Sequence, residues 1–534
     1  MKGSNTSESP FAHLMRHPAL FLSMLFAWLS VAIAGAAEPS KTPLQKSMDQ
    51  GAKCCLAWLN PEKDFLPTGG YEVAHDTGRW WDAMLRYEAA SGVRIPAQTE
   101  AAMMANLRRL TDNPAALLAS GKCNPHNLRE TLLTYAALVR YRKSAWADAQ
   151  GRKLLRTMSE LLEPDGQMDY ERLAQLIGQP LTTDKLMMLR YPQGQWFNAV
   201  GSTGRAIEGL VVFHAATGDA EALKLAGRLA ETHLRNSIDA SGQIRPELLA
   251  ADCISHTHSY CGTLRGLLLY GLATGDRRFI DAIANTYRKG LWGHTISYSG
   301  WTPHDQGKTR FANKDGEPIG EHASCGDVAQ LALWLALRDG QTDLLDDVER
   351  LVRARILPSQ ISDATRPRND GAWGVYSHPF GKASILDVFA AVVHSLADIH
   401  ENIVTTAPDG VLSVNLHFDI ETPAISIRSQ RAKEATLEIK LKEARALRIR
   451  VPGWTTKSSV HLTADGKDLP LTWDGPYLLV AKGTGQIIQL RHDLPEKQTT
   501  EEMPVSHRQF HLSWRGDEVI ACDPPVPIYP PKAK

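Results

Sequence analysis

The sequence predicts a toroid of paired helices, an (α/α)6 ring, followed by an antiparallel β-sandwich. Two observations carry this expectation. A helix-hairpin unit recurs with the same punctuation, and near Asp409-Gly410 the apolar periodicity changes from three-and-four to two. One copy of the unit occupies 203–234 and the next 259–291. Ala-Thr-Gly-Asp closes the first helix in both, at 216–219 and 273–276, an offset of 57 residues. Gly209 and Gly266 also correspond, and a looser copy occupies 325–357. In each unit an apolar helix stops at a glycine, which tolerates the left-handed conformation of a helix end. An aspartate then caps an amphipathic second helix. Pairs of this size cannot bury their apolar faces alone, so they stack.

Taken in order, the chain opens with Arg16 and His17 before an apolar run over 18–33, then small residues Ala34, Gly35, Ala36 and Ala37. The run is short for a bilayer span and ends in an Ala-x-Ala-like site, so 1–37 is expected to be a signal peptide and the protein exported, periplasmic or extracellular. Helices are predicted at 47–59, 77–91, 96–111, 127–142, 145–162, 202–217, 220–236, 260–274, 277–290, 324–338, 343–356 and 382–399, close to six hairpins. The toroid is assigned to 38–405, with the cleft in it. Long loops at 163–201, 237–259, 293–322 and 358–381 carry Trp, His, Asp, Arg and Gly, which favours function over disorder. Alternating runs such as VLSVNLHF, ATLEIKL and QIIQLR then assign 406–534 to the sandwich.

Composition excludes several classes. The 534 residues carry equal numbers of basic and acidic side chains, so no basic excess exists to neutralise nucleic acid or an anionic membrane. Seven cysteines form no CxxC and are too sparse for a disulfide scaffold; being odd in number, they leave at least one thiol free. No cofactor is expected, and the sequence leaves the oligomeric state open.

A family resemblance enters with ALRIRVPGW at 446–454, His258 ahead of the helix GTLRGLLLYGLATGD, and Ala323-Ser324-Cys325 opening the next helix. This order resembles the secreted β-L-arabinofuranosidase-like glycoside hydrolases, family 127 and its uncharacterised relatives, over most of the mature chain. The resemblance implies an (α/α)6 barrel with β-sandwich structure, and activity on glycans. That family's retaining enzymes use a cysteine nucleophile beside a zinc site, drawn from a Glu-x-Cys motif and a later Cys-Cys pair. Here the first motif reads Ala323-Ser324-Cys325, and the pair falls near Tyr376-Ser377-His378-Pro379. The cysteine–zinc chemistry is therefore not expected, nor is any metal.

In such a ring the N-terminal ends of the inner helices surround one mouth, and four clusters fall there. At 75–82, Asp76 suits a helix cap, Arg79 and Asp82 share a helix face, and one of Trp80 and Trp81 is expected to line the cleft. At 124–130, His126 and Arg129 suit hydroxyls or a carboxylate, although Arg129 and Glu130 also fit plain ion pairs. At 252–260, His256 and His258 suit acid/base work or sugar contact; His-x-His can bind a metal, but no acidic or cysteine pair stands close in sequence. At 321–327, Glu321 is the expected proton donor, with Asp327 or Asp82 as second carboxylate and His322 beside substrate. Trp301, Trp373 and Tyr376 are candidate subsite walls, and Arg366, Arg368 and Asp370 a loop gripping an acidic sugar such as a uronate. The expected function is hydrolysis of plant or algal polysaccharide fragments. A lyase or dehydratase acting on uronic acids, and a glycan binder without catalysis, are the alternatives.

Overall fold

A computed structural model describes residues 43–531 apart from 165, 167, 182–188, 191–195, 198–203, 247–255, 307–311, 313–315, 364, 367 and 377–385. The signal-peptide expectation, Cys253 and Ser377-His378 lie outside the described residues.

Six helices form the inner ring: α2 (Val73–Ser91), α4 (Asn127–Arg142), α7 (Arg205–Thr217), α9 (Thr257–Thr274), α11 (His322–Arg338) and α13 (Leu386–Glu401). Each packs on the next in that order, and α13 returns to α2, so the ring closes. The outer partners are α3 (Ala97–Leu110), α5 (Ala145–Leu161), α8 (Ala220–Ser237), α10 (Arg277–Asn285) and α12 (Leu345–Leu351). The sixth outer place is filled from the start of the domain by α1 (Pro43–Ala57), which packs on α13. A short helix at Tyr170–Ile177, α6, was not legible in the sequence. The inner helices are buried nearly all round in their N-terminal halves; in α4 every residue from Asn127 to Leu138 is buried. The outer helices keep one apolar stripe inward, as in α8.

The repeat punctuation works as its chemistry requires. Gly218 and Gly275 adopt φ of 73° and 72°. Asp219 and Asp276 accept from the amides of Glu221 and Arg278 at 2.9 and 3.0 Å. The corresponding glycines are contact points between inner helices. A Cβ on Gly209 would lie 2.9 Å from Leu132 of α4, and one on Gly266 2.9 Å from the Glu208 amide of α7. Among the described residues no helix is long and apolar enough to cross a membrane.

The β region begins at Val404 and forms two facing sheets. One holds six strands in the order Lys467–Asp468, His461–Ala464, Ile487–Asp493, Glu434–Leu441, Ile425–Arg431 and Ile420–Glu421. The other holds five: Trp473–Asp474, Tyr477–Val480, Leu447–Arg450, Leu412–Val414 and Val404–Thr406. Ile427, Ile439 and Leu490 of the first share one core with Val414, Ile449 and Leu478 of the second. One pairing, Leu447–Arg450 with Leu412–Val414, is parallel. The region is not one sandwich to its end. Glu496–Glu502, Gln509–Arg515 and Glu518–Asp523 form a separate three-stranded sheet. Its own core of Phe510, Leu512, Trp514 and Tyr529 closes on Ala354 of the toroid. The Arg-Val-Pro-Gly-Trp segment joins the domains. Arg450 is buried and pairs with Asp346 and Glu349 of the toroid, and the Gly453 amide donates to Asp346 at 2.8 Å.

Candidate functional site

The N-terminal halves of the inner helices carry a belt of buried charge. Glu130 pairs with Arg79 at 3.1 Å, Arg129 at 2.9 Å and Arg205 at 2.8 Å. Glu208 pairs with Arg129 at 2.7 Å and with Arg265, and Arg265 continues to Asp327. Buried charges persist only when paired this closely. Burial, then the neighbouring Arg79, lower the Arg205 pKa to about 9. Burial raises Glu208, but Arg129 and Arg265 outweigh it and hold the carboxyl at about 2. The repeat wrote half of this belt: Glu208 and Arg265 each stand one place before the corresponding glycines Gly209 and Gly266, with opposite charge.

The belt takes over several residues expected to do chemistry. Arg79 donates to His258 Nε2 at 2.6 Å, and His258 Nδ1 donates to Asp327 Oδ2 at 2.5 Å. Both ring nitrogens are committed, and burial with Arg79 and Arg205 lowers the His258 pKa well below its ordinary value. His258 is thus a neutral strut across the ring, not a proton carrier. Asp327 is fully buried behind it, and burial pushes its pKa up to about 7 despite Arg265. Arg129 is likewise a belt residue. Asp82 lies deeper on α2, bonded to His394 and to Arg86 at 2.9 Å. It lines a cavity of about 750 Å³ at the C-terminal end of the ring, with Arg140, Trp334 and Asp398, so it is not the partner of Glu321.

The aromatic expectations also change. Trp80 and Trp81 are both fully buried and stack edge to face at 5.2 Å; the inner helix has core on two sides, so consecutive tryptophans both find it. Trp373 is buried, donating to the Ile356 carbonyl at 2.7 Å. Trp301 lines a separate crevice against Glu501 and Phe510 of the three-stranded sheet. Arg368 braces the start of the domain, with its guanidinium 5.1 Å from the Trp58 ring, and Arg366 pairs with Asp363 at 2.6 Å.

At the mouth, the residues before α2 and α11 stand out. Glu72 and Glu321 hold the N-cap positions of these helices, on either side of α13, and neither carboxylate caps its own helix. Glu72 accepts from Asn124 at 2.6 Å and Asn127 at 3.3 Å, and burial raises its pKa. Glu72 was not singled out from the sequence; its only signal was its place three residues ahead of a predicted mouth cluster. His126 sits beside it among His75 and Tyr71, with ring centroids 6.0 and 6.4 Å away. His322 Nδ1 donates to the Gly374 carbonyl at 2.9 Å.

Glu321 Oε2 lies 2.9 Å from His256 Nε2 and 3.9 Å from His304 Nε2. Burial alone would raise its pKa, but His256, His304 and Arg79 prevail and lower it. A carboxyl held ionised is a poor proton donor, so the acid role expected of Glu321 does not fit its surroundings. His304 comes from the loop at 293–322, with Nδ1 bonded to Asp305 at 2.8 Å. Its distance in sequence from His256 hid the cluster.

The family's cysteine–zinc arrangement does not fit these residues. Ala323 packs with Val388 and Ala391, and burial pushes the Cys325 thiol up to about 12.

No protein-family model matches the chain, and no curated protein matches it in sequence. Solved structures do match in fold. A glycoside hydrolase family 127 beta-arabinofuranosidase superposes with a TM-score of 0.63 at 14% identity, over 90% of this chain and 83% of the other. A family 127 beta-L-arabinofuranosidase from Geobacillus stearothermophilus T6 gives 0.54 at 12% identity, over 93% and 83%. A further glycoside hydrolase gives 0.58 at 12% identity, over 89% and 80%. The chain therefore has the helical-toroid and β-sandwich fold seen in family 127, and is a divergent structural relative of those proteins. Fold by itself does not assign the reaction.

Proposed function

We propose that this chain is an exported glycan-active enzyme that hydrolyses glycosidic bonds in plant or algal polysaccharide fragments. The observation that carries the reading is the pair of carboxyl groups at one mouth, Glu72 and Glu321, at the N-caps of two inner helices flanking a third. Glycoside cleavage needs one carboxyl to protonate the leaving oxygen and a second to attack or to activate water. Glu72, whose burial favours the protonated form, takes the donor role. Glu321 takes the other. Half-exposed Tyr71 and Lys122 offer a stacking face and a cation beside Glu72. Export is supported by the apolar run at 18–33 and the small residues after it.

A second reading is favoured by one contact. His304 keeps 17% of its side chain exposed while Asp305 orients its other nitrogen, an arrangement suited to abstracting a proton from a uronic acid. One assay separates the two. Oligosaccharides are incubated with the protein, and both reducing ends and ultraviolet absorbance are followed. Hydrolysis yields reducing ends only; a product with an unsaturated bond would replace this reading with elimination. Glu72→Gln and Glu321→Gln are each expected to lower turnover about 10²–10⁴-fold without unfolding the protein. Wild-type turnover in both variants would end the two-carboxyl assignment.

A further inference from the structure

We propose that His256, His304 and Glu321 form a binding site for a first-row divalent cation of the zinc type, with two imidazoles and one carboxylate as ligands. The ligand atoms of the three side chains lie within 4.8 Å of one another. A simple ion pair accounts for His256 and Glu321, whose atoms are 2.9 Å apart. His304 Nε2 faces the same carboxylate oxygen at 3.9 Å. Two imidazole nitrogens converging on one carboxylate oxygen make a donor set of the kind that holds such a cation.

The outer contacts point the same way. A metal-bound histidine uses one nitrogen for the ion and anchors the other, often on a carboxylate or hydroxyl. His304 Nδ1 is anchored on Asp305 at 2.8 Å, and His256 Nδ1 on Ser259 Oγ at 2.9 Å. Both Nε2 atoms face Glu321. The backbone clamps the segments together: the Thr257 amide donates to the His304 carbonyl at 2.8 Å, His304 to Ile319 at 2.7 Å, and Glu321 to Thr302 at 3.2 Å. The distances of 2.9 and 3.9 Å to Glu321 bracket the edge of about 3.3 Å for a tetrahedral zinc site with bonds near 2.0 Å, so small side-chain rotations would equalise them. Imidazole with carboxylate, and no thiolate, suits zinc, iron or manganese better than calcium or magnesium. His256 and His304 remain 14% and 17% exposed, so a bound ion would face the mouth with positions open to water or to an oxygen of a ligand.

This ligand set is not the cysteine arrangement of family 127, and it replaces the expectation of a metal-free chain. It shares Glu321 with the proposed catalytic pair, but binding is measured without any glycan, so its failure is distinguishable from a failure of that reading.

The test uses the full mature protein, stripped with chelator, and zinc chloride as the probe in titration calorimetry. One equivalent is expected, with a rise in melting temperature. His256→Ala and His304→Ala should each weaken binding at least about 100-fold, and Asp305→Asn about 10–100-fold, the usual cost of losing such an anchor. His304→Gln serves as the milder variant should the alanine variant lose its circular dichroism. His294→Ala, outside the cluster, should leave binding unchanged. Cobalt substitution should give visible bands without thiolate charge transfer. The proposal is overturned by absence of saturable uptake in folded wild type, by unchanged affinity in folded His304→Gln, or by a thiolate band placing the ion on cysteine.

Discussion

Replacing Glu130 by glutamine tests the charge belt at its hub. The carboxylate is fully buried and serves guanidinium groups from three helices: Arg79 of α2, Arg129 of α4 and Arg205 of α7, at 3.1, 2.9 and 2.8 Å. Glutamine keeps the volume, so no cavity contributes. It keeps one acceptor oxygen but removes the charge, and adds an amide donor that faces cations. Hydrogen bonds to charged groups contribute about 1.5–3 kcal/mol each. Breaking a buried pair from one side costs about 3–5 kcal/mol, because the remaining charge stays buried. We therefore expect a loss of about 3–5 kcal/mol, read as a lower urea midpoint by tryptophan fluorescence at neutral pH. Arg205, the guanidinium whose pKa burial and Arg79 pull down to about 9, depends most on this partner. Adding Arg205→Met to Glu130→Gln should recover part of the loss, since a buried cation without its anion is replaced by an apolar side chain. A change under about 1 kcal/mol in the single variant, or simple additivity in the double, would refute the account of the belt as mutually dependent charges.

Trp80→Ala should cost about 3–5 kcal/mol in stability, as for other large core truncations; because Trp80 is buried against Trp81, the affinity of the folded variant for glycans should not change. His233, buried on α8 away from the mouth, should make the protein acid-sensitive. Burial lowers its pKa from 6.5 to about 4, so the unfolded chain binds its proton first. Its contribution is fully present above pH 6.5 and is lost as pH falls toward 4, by about 3 kcal/mol in all. Urea midpoints at a series of pH values should therefore fall less steeply in His233→Gln than in wild type; parallel curves would remove this residue as a cause. Ser299→Ala should loosen the three-stranded sheet by breaking the 2.8 Å bond to Glu501, seen as faster amide exchange in Gln509–Arg515; unchanged exchange there would place the anchor elsewhere.

Local and periodic features were readable because they depend only on neighbours along the chain. The helix pairs, the Gly-Asp punctuation at 218–219 and 275–276, and the change to two-residue alternation follow from backbone sterics and the spacing of apolar side chains. So does the location of the four mouth clusters at the starts of inner helices. The role of each residue within a cluster was not readable in this way. Asp82 and Arg79 share a helix face, yet a single turn places one in the belt and the other at the opposite end of the ring. His258 looks like a free imidazole in sequence, but Arg79 and Asp327, 179 and 69 residues away, use both its nitrogens.

The sequence alone determined the ring of helix pairs, the change to β structure after it and which end of the toroid collects polar side chains, since helix periodicity and capping are set by residues three or four apart. Only the tertiary structure decided which of those side chains meet: Glu72 with Asn124, Arg265 with Asp327, and His304 with His256 and Glu321. The physical reason is that acidity, pairing and ligand geometry depend on distances of a few ångströms across the ring. Those distances are fixed by how six hairpins close on one another, which no spacing along the chain encodes.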